Sequence, residues 1–390
     1  MMESRINVLL VVNSLGVGGA EKHAIALLNT LDTRRFRLSF SWLKDETLLL
    51  PQLQTERAEG GVFCAQVTRK VDLQAVRRLA AHIAREQIDV VLCTNTYSLL
   101  YAWLARMQGP ACPRIVEVFH TTEIGTLEDR LQMLFYRPWI LAVDRLVYVC
   151  ESQRRYWRAR LLRARADLVI HNGIDTQHFS DRYSAAEKAR LRAHYGFAPS
   201  DYVIGLCAAL RPEKAHEDLV AAIACLRAQG LPARALLIGD GPQRGAIEAA
   251  IAEHELQDAV RITGFCADVR PLIAACDVMT ITSHSVETFS IAALEAMALG
   301  KPMVMTDIGG AAEQITPGVN GFLYPRGNID ALCDALRILQ ARGMRTTMGG
   351  QARESVVQRF SLERMVDAYA RLFEDMVSKD GLAREAQRVA

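Results

Sequence analysis

The sequence has no long run of apolar residues. Its first apolar segment, Ile6 to Val12, contains seven residues, whereas a helix that spans a bilayer needs about 18. A polar turn that begins at Asn13 follows directly, and no small-residue cleavage pattern accompanies it. We therefore expect this segment to form a first β-strand rather than a membrane anchor or a signal peptide.

Closely spaced cysteines are also absent. The chain has nine cysteines, an odd number, and no two of them lie fewer than ten positions apart. This spacing excludes the paired cysteines of zinc knuckles and of thiol redox motifs. Most of these residues lie within apolar segments, where cysteine acts as a small hydrophobe. The pattern predicts a reduced, cytoplasmic protein.

Neither sign of charge dominates the composition. The chain holds 46 Lys and Arg against 44 Asp and Glu, a formal charge of +2, which argues against a dedicated nucleic-acid binder. The charge is distributed less evenly along the chain. Residues 1–178 hold 23 basic and 18 acidic side chains, a net charge of +5, and the remainder holds 23 and 26, a net charge of −3.

The 390 residues do contain a regular alternation of short apolar segments and amphipathic stretches. This alternation is typical of a parallel α/β sheet with helices on both faces. It occurs in two series, and a single barrel of about 250 residues would leave well over a hundred unexplained. We therefore predict an α/β fold of two doubly wound domains. The strand-like segments are 6–13, 38–42, 62–67, 90–93, 115–119 and 146–149, then 203–207, 235–238, 260–262, 278–281 and 303–306.

The predicted join between the domains lies at the turn 171–175, which contains an Asn-Gly dipeptide and precedes a polar, loop-like stretch. The two domains then comprise residues 1–175 and 176–360. An amphipathic helix follows, with Ser361 as its N-cap and Val377 near its end. We expect this tail, residues 361–390, to pack back on the first domain.

Much of the positive charge lies in residues 153–165, where six of 13 residues are arginine. Aromatic and leucine residues alternate with them at helical spacing. Two interpretations stay open: a helix that contacts an anionic membrane surface or acceptor, and a solvated helix whose arginine stems cover an apolar stripe. The arginines are Arg154, Arg155, Arg158, Arg160, Arg163 and Arg165.

A glycine-rich turn, Gly16 to Lys22, follows the first predicted strand and opens the first helix. Glycine lets the backbone approach a ligand, and the amides of a helix start favour an anion or a hydroxyl-rich group. The dinucleotide-binding pattern fails, because Glu21 occupies the position of its third glycine. A tight structural turn is the alternative interpretation.

Two further motifs follow strands of the second series. Arg211 and Lys214 lie at the sheet edge where parallel sheets bind ligands, and two cations there could neutralise a diphosphate. An ordinary exposed loop is the alternative interpretation. The segment Ser283 to Met297 leaves a strand, crosses a polar loop and enters a helix near Ser290, whose first amides would suit a phosphate.

Glu287 and Glu295 of that segment are eight residues apart, which would separate them by about 12 Å along a helix. They therefore cannot form a close carboxylate pair. We expect them to contact different parts of an extended ligand, and two surface glutamates are the alternative.

Taken together, these motifs resemble glycosyltransferase family 4, and the resemblance covers essentially the whole chain. It rests on the Gly-Gly-Ala-Glu turn, on Arg-Pro-Glu-Lys and on the Glu-x7-Glu spacing that encloses Phe289. The segments 171–175, 264–269, 307–313 and 320–323 extend it. The resemblance implies the GT-B fold, in which two Rossmann-like domains face each other across a cleft. The first domain would then meet the acceptor, and the second would hold a nucleotide-sugar donor.

The resemblance also implies roles for individual residues. Arg211 and Lys214 would hold the donor diphosphate, Glu287 would bind hydroxyls of the donor sugar, and Glu295 those of the ribose. His120 would line the sugar site, and the Gly18-Gly19 turn would approach the diphosphate and the sugar. The remaining implied donor-binding residues are Phe265, Phe289, Ser290 and Ile291, the last three through their amides to the phosphate.

Two positions depart from the family pattern. Relatives often place the arginine five residues before the lysine, where Ala209 stands here, so Arg211 would be a shifted counterpart. Ser290 replaces the usual glycine after the phenylalanine, and serine can still cap the helix.

The resemblance implies a transferase that retains anomeric configuration and needs neither metal nor cofactor. The chain contains no Asp-x-Asp triplet, the usual metal clamp of the other large glycosyltransferase class, so cations and the helix start would stabilise the leaving group. We expect a saccharide or lipid-linked acceptor, in surface polysaccharide or glycolipid assembly. The protein would act in the cytoplasm or peripherally on the inner membrane face. The alternatives are a GT-B epimerase or phosphorylase, a non-catalytic nucleotide-sugar-binding subunit and, least favoured, an NAD-dependent oxidoreductase.

Overall fold

The structure, a computed structural model, describes residues 5–16, 18–120 and 127–378. Position 17 of the glycine-rich turn and residues 379–390 of the predicted tail lie outside the described residues. The chain divides into two compact units, which comprise Met1–Asn172 with Leu362–Ala390 and Gly173–Ser361. We call them the first unit and the second unit.

The first unit contains a parallel sheet. Its described strands are β1 (Ile6–Val12), β2 (Phe36–Trp42), β3 (Val62–Cys64), β4 (Val90–Thr94), β5 (Arg114–Phe119), β6 (Arg145–Tyr148) and β7 (Asp167–Val169). They lie side by side in the order β3-β2-β1-β4-β5-β6-β7. The intervening helices are α1 (Gly19–Thr30), α2 (Leu73–Arg85), α3 (Thr96–Gln108), α4 (Leu127–Leu141) and α5 (Glu151–Ala159).

The second unit repeats this plan. Its strands are β8 (Tyr202–Cys207), β9 (Ala233–Ile238), β10 (Val260–Ile262), β11 (Val278–Ile281), β12 (Met303–Thr306) and β13 (Gly321–Tyr324), in the order β10-β9-β8-β11-β12-β13. Its helices are α6 (Ala185–His194), α7 (His216–Ala228), α8 (Arg244–Glu253), α9 (Arg270–Ala275), α10 (Ile291–Ala298), α11 (Ala311–Gln314), α12 (Ile329–Ile338) and α13 (Arg342–Arg359).

The central strands are buried on both faces, which explains why they appear in the sequence as unbroken apolar runs. Val8 to Val12 of β1 and Val90 to Cys93 of β4 have no exposed surface. A parallel sheet needs helices on both faces, so its central strands cannot alternate apolar with polar residues. The predicted α/β fold with two doubly wound sheets is therefore confirmed.

The last helix, α14 (Leu362–Val377), belongs to the first unit although it follows the second in sequence. Its apolar face is buried, and the ring of Phe373 contacts that of Phe36 edge-on at 6.0 Å. Arg35 and Glu374 form an ion pair of 2.5 Å at the rim of this contact. These buried aromatic contacts explain why α14 belongs to the first unit.

Each sheet has one point where the strand order reverses. In the first unit β1 lies between β2 and β4, and in the second unit β8 lies between β9 and β11. Loops that leave two neighbouring strands in opposite directions open a crevice at their carboxyl ends, and ligands of α/β proteins bind there. The loops after β8 and β11 carry the Arg211–Lys214 and Ser283–Ser290 motifs.

Three elements differ from the sequence prediction. Strands β7 and β13 lie at sheet edges and have only three and four residues, too few for an apolar strand segment to be recognised in the sequence. The arginine-rich helix ends at Ala159, so the second half of that segment is a loop. Leu161 in this loop has φ +62°, a conformation that a helix excludes.

Candidate functional site

The second unit brings Lys214 and Glu287 into direct contact. Lys214 Nζ donates a hydrogen bond of 2.6 Å to Glu287 Oε2, and Ser283 Oγ donates one of 2.9 Å to the same oxygen. The two charged side chains are largely shielded from solvent, 21% and 12% exposed. Charge-assisted hydrogen bonds of this kind are strong and hold both groups in one geometry. The loops after β8 and β11 therefore meet at an ion pair.

The backbone around Lys214 is fixed by the neighbouring loop. Residues Pro212–Lys214 form one turn of 3-10 helix, and Ala215 has a left-handed conformation with φ +45°. Thr282 Oγ1 donates a hydrogen bond of 2.8 Å to the carbonyl oxygen of Lys214. This turn directs the lysine toward the loop after β11.

Glu287 lies in a tightly held loop. Val286 has φ +54°, which is a strained conformation for a β-branched residue. Gly309 packs against the backbone so closely that a Cβ atom there would lie 1.7 Å from the carbonyl oxygen of Glu287. The amide of Gly310 donates a hydrogen bond of 2.7 Å to the carbonyl oxygen of Thr288. Backbone strain of this kind often marks functional loops.

Helix α10 begins directly after this loop. Ser290 is its N-cap, and Ser290 Oγ accepts a hydrogen bond of 3.3 Å from the amide of Ala293. Phe289 is buried, and its ring contacts that of Phe360 edge-on at 5.2 Å. Ser290 is thus the helix cap that the sequence predicts, while the ring of Phe289 serves the apolar core.

The remaining predicted donor-site residues of the second unit differ in exposure. Glu295 lies on α10 and is buried, so neither glutamate is a surface residue. Arg211 is exposed in the loop that carries Lys214, and its guanidinium makes no hydrogen bond or ion pair with the described residues. Phe265 follows β10 and is 69% exposed. Arg211 thus lies at the start of the turn that carries Lys214, whereas Phe265 lies on the surface.

Sequence reasoning missed a contact between His284 and Asp218. His284 Nε2 lies 2.7 Å from Asp218 Oδ2, in the first turn of α7. The backbone of His284 is also held, because its amide donates to the carbonyl oxygen of Glu213 and its own carbonyl accepts from Arg326. This histidine connects the loop of Glu287 to the turn of Lys214. No sequence signal joins residues 66 positions apart.

The glycine-rich turn of the first unit is lined by carboxylates. Gly18 is the N-cap of α1, and a Cβ atom on it would lie 2.2 Å from Glu21 Oε2. A Cβ atom on Gly16 would lie 2.7 Å from Glu46 Oε2. Burial, with a smaller contribution from Glu46, raises the pKa of Glu21. Carboxylates accept hydrogen bonds from hydroxyls, so Gly18 and Gly19 lie in a turn that suits a hydroxyl-rich group better than a phosphate.

His120 follows β5 and belongs to a cluster of rings. The ring of His23 in α1 lies edge-on to His120 at 5.6 Å and to Tyr369 of α14 at 5.4 Å. Burial lowers the pKa of His120 to about 4 and that of His23 to about 3, the latter with help from His120. Both rings are therefore neutral at pH 7. A neutral imidazole can donate from one nitrogen and accept at the other.

Helix α5 supports β5, the strand that precedes His120. The side chain of Gln153 is buried, donates to the carbonyl oxygen of Phe119 at 2.6 Å and accepts from the amide of Val149 at 2.9 Å. The ring of Trp157 lies edge-on to Phe119 at 5.2 Å. These contacts were not predicted, because the arginines around them dominate the sequence pattern.

The arginines of residues 153–165 do not act as one group. Arg154 and Arg158 both form ion pairs with Asp167, at 2.7 and 2.8 Å, and this carboxylate is almost fully buried. The guanidinium of Arg160 stacks on the ring of Tyr156 at 3.6 Å. The others, Arg155, Arg163 and Arg165, are exposed and form no ion pair with the described residues. Two of the six predicted membrane-facing arginines are therefore structural.

The described residues contain neither a metal-binding cluster nor a membrane-spanning helix. No three His, Cys, Asp or Glu side chains in the ranges 5–16, 18–120 and 127–378 lie close enough together to hold a metal ion. In the same ranges no helix is both long and apolar enough to cross a bilayer. Metal independence remains a prediction.

Comparison with known families gives two matches. Residues 17–178 match the family described as Glycosyltransferase Family 4, and residues 187–355 match the family described as Glycosyl transferases group 1. An N-acetyl-alpha-D-glucosaminyl L-malate synthase of Bacillus anthracis is 28% identical over 313 residues, 79% of this chain and 80% of that protein. A D-inositol 3-phosphate glycosyltransferase of Saccharomonospora viridis is 29% identical over 275 residues, 67% of this chain and 62% of that protein.

Solved structures show the same architecture. Anabaena Alr3699/HepE in complex with UDP-glucose superposes with a TM-score of 0.81 at 25% identity, over 95% of this chain and 100% of that chain. The lipopolysaccharide galactosyltransferase WaaB gives 0.69 at 18% identity, over 94% and 99%. Fold, family matches and named relatives agree: the chain is a glycosyltransferase of the GT-B fold and resembles family 4.

Proposed function

We propose that the protein transfers a sugar from a nucleoside-diphosphate sugar to a hydroxyl of a saccharide or lipid-linked acceptor. The observation that carries the proposal is the shielded Lys214–Glu287 pair at the point where the second sheet reverses its strand order. A related structure at 25% identity contains UDP-glucose, which supports a nucleotide-sugar donor.

The charges of this site match the two ends of such a donor. Lys214 and Arg211 would neutralise the diphosphate, while Glu287 would accept hydrogen bonds from sugar hydroxyls. Without a donor, each member of the Lys214–Glu287 pair satisfies the other at 2.6 Å. The donor would then exchange this one strong contact for two.

The remaining assignments follow the family resemblance. The start of α10 around Phe289, Ser290 and Ile291 would bind a phosphate, because the first amides of a helix lack intrahelical partners. The buried Glu295 would bind the ribose, and Phe265 would lie beside the donor. In the first unit, Gly18 and Gly19 would approach the donor, and the neutral His120 would exchange hydrogen bonds with sugar hydroxyls.

We further propose transfer with retained anomeric configuration. The acceptor oxygen attacks the anomeric carbon from the side of the leaving group, while the bond from that carbon to the phosphate oxygen breaks. The acceptor proton moves to the departing phosphate oxygen. Positive charge from Lys214 and Arg211 and the dipole of α10 stabilise the diphosphate as it leaves, with no metal required.

The proposed setting is surface polysaccharide or glycolipid synthesis in the cytoplasm, at the inner face of the membrane. The positive first half of the chain supports this setting, since the acceptor would be lipid-linked and the membrane surface anionic.

Donor turnover tests the proposal. The purified protein is incubated with a panel of nucleotide-sugars and acceptors, with EDTA present, and released nucleoside diphosphate is measured. We expect release from one donor class, and a loss of about 100-fold in Lys214→Gln. Glu287→Gln should also lose turnover, because a neutral amide accepts hydrogen bonds from sugar hydroxyls less strongly than a carboxylate does. Lys188→Gln is the matched control, since Lys188 forms an ion pair with Asp181 instead.

The same assay separates the alternatives. An epimerase would convert its nucleotide-sugar with no acceptor present. A binding subunit would bind a donor and release nothing across the acceptor panel. Either outcome, or full activity of Lys214→Gln, would contradict the proposal.

A further inference from the structure

Helix α4 has two apolar faces. One packs into the first unit through the buried residues Tyr136 and Ile140. The other faces solvent, where Leu127, Leu131, Leu134 and Phe135 are 72, 60, 66 and 55% exposed. Surface helices of globular proteins normally present polar residues on the outer side. This outer face of α4 therefore needs an explanation other than the core.

The exposed residues form one continuous stripe. Positions 127, 131, 134, 138 and 141 are separated by three or four residues, so they lie on one side of the helix. All five are apolar, since Pro138 and Leu141 continue the run. The stripe extends for about 20 Å along the helix. Contiguous exposed apolar surface of this kind marks an interaction site.

The loop after α5 extends this face. Arg137 of α4 donates a hydrogen bond of 2.6 Å to the carbonyl oxygen of Leu161, which joins the two segments. The side chain of Leu161 is itself 67% exposed. Three exposed arginines, which form no ion pair with the described residues, belong to α5 and to the loop that this contact joins to α4. They are Arg155, Arg163 and Arg165.

We propose that the outer face of α4 and the arginines beside it form one docking surface for an anionic lipid bilayer. The stripe would insert at the level of the acyl chains, and the arginines would contact lipid phosphates. An amphipathic helix that lies in the interface combines these two features. This inference deepens the proposed function, because it places the protein at the surface that holds a lipid-linked acceptor.

The charge on α4 itself fits this arrangement. Its acidic residues, Glu128 and Asp129, lie in the first turn and fall outside the stripe by the helical spacing. Arg130 and Arg137 lie along one side of it. The membrane would therefore meet apolar and positive groups, whereas the negative ones lie toward the sides of the helix.

Vesicle flotation of the full chain tests the docking surface. Vesicles of phosphatidylcholine are compared with vesicles that also contain phosphatidylglycerol. We expect binding to the second kind only, weakened by high salt because exposed charges are screened. Replacing the three free arginines by Gln should lower partitioning by about 100-fold. Replacing Leu131, Leu134 and Phe135 by Gln should abolish it.

Matched controls lie in the second unit. Arg190, Arg337 and Arg342 are exposed arginines whose replacement by Gln makes the same change in net charge. Ile338, Met344 and Val357 are exposed apolar residues of α12 and α13. These control variants should bind vesicles as the unmodified protein does.

Three results would overturn the inference: equal binding to both kinds of vesicle, full binding by the variants of the stripe, or a dimer in solution that those variants dissociate. The last result would assign the face to a second copy of the chain. Turnover of a water-soluble acceptor keeps the two proposals apart. If the unmodified protein shows no turnover with this acceptor, the proposed function alone is contradicted. The variants of the stripe should turn over this acceptor as the unmodified protein does.

Discussion

At the scale of single residues, the candidate site depends on backbone contacts so close that a larger side chain would clash. Gly309 is the clearest example, because its positive φ of +56° and the nearby carbonyl oxygen of Glu287 exclude a side chain. Glu287 can face Lys214 only while the loop keeps this conformation.

We predict that Gly309→Ala displaces the loop of Glu287. The variant should lose about 1–3 kcal/mol of unfolding free energy and most donor turnover. Gly318→Ala is the control, since Gly318 also has a positive φ, +78°, but a Cβ atom there would meet no heavy atom within 4 Å. Urea unfolding and turnover of both variants check this. Similar turnover in the two would contradict the role of the close contact.

Two histidines of the first unit, His23 and His120, predict a dependence of stability on pH. The pKa of His23 is about 3 and that of His120 about 4 in the folded protein, below the ordinary value of 6.5. The unfolded chain therefore binds more protons as the pH falls below 6.5. Each histidine should remove up to about 1.4 kcal/mol of unfolding free energy per pH unit between 6.5 and its folded pKa.

His23→Phe should flatten this pH dependence by the share of one histidine. Urea unfolding at pH 6.5 and 5 measures it, with the exposed His254→Phe as the control variant. A slope identical to that of the unmodified protein would show that His23 is not buried as a neutral ring.

At the scale of elements, α10 connects the helix cap to the donor site. Ser290 Oγ accepts a hydrogen bond from the amide of Ala293. We predict that Ser290→Ala costs about 1 kcal/mol of unfolding free energy, and Ser290→Gly only a few tenths. Both should retain turnover if the backbone amides rather than the hydroxyl bind phosphate. Loss of turnover in Ser290→Gly would assign binding to the hydroxyl.

Helix α14 makes a second prediction at this scale. Phe373 has no exposed surface and contacts Phe36, so Phe373→Ala should cost about 3–5 kcal/mol of unfolding free energy. Phe265→Ala, at a ring that is mostly exposed, should cost far less. Thermal unfolding of both variants compares them. Equal losses would contradict the packing of α14 on the first unit.

Most elements could be predicted because local burial and helix capping determine which residues they contain. Strands buried on both faces, such as β1 and β4, appear as apolar runs, and Ser290 precedes a helix as a cap does. The contact between His284 and Asp218 could not be predicted, since it depends on which loops the sheet order brings together. The pairing of Arg154 and Arg158 with Asp167 was hidden for the same reason. The outer stripe of α4 was hidden because its inner face is apolar too.

At the scale of the whole molecule, the two halves of the sequence carry net charges of opposite sign, and the fold shows where the charged side chains lie. The net charge of +5 in the first half already counts Asp167, which pairs with two of its arginines within the first unit. The exposed arginines that remain belong to α5 and to the loop that Arg137 joins to α4. The second half carries −3 but places its cations, Lys214 and Arg211, at the reversal point of its sheet. Local placement of charge thus matters more than the overall balance.

The central claim is that the diphosphate of a nucleotide-sugar binds at Lys214 in the second unit. Isothermal titration with nucleoside diphosphates, in EDTA, tests it most directly on the unmodified protein, Lys214→Gln and the control Lys188→Gln. We predict that Lys214→Gln weakens binding by about 30-fold or more, because a charge-assisted contact is lost, while Lys188→Gln binds as the unmodified protein does. Equal affinity in all three proteins would contradict the claim.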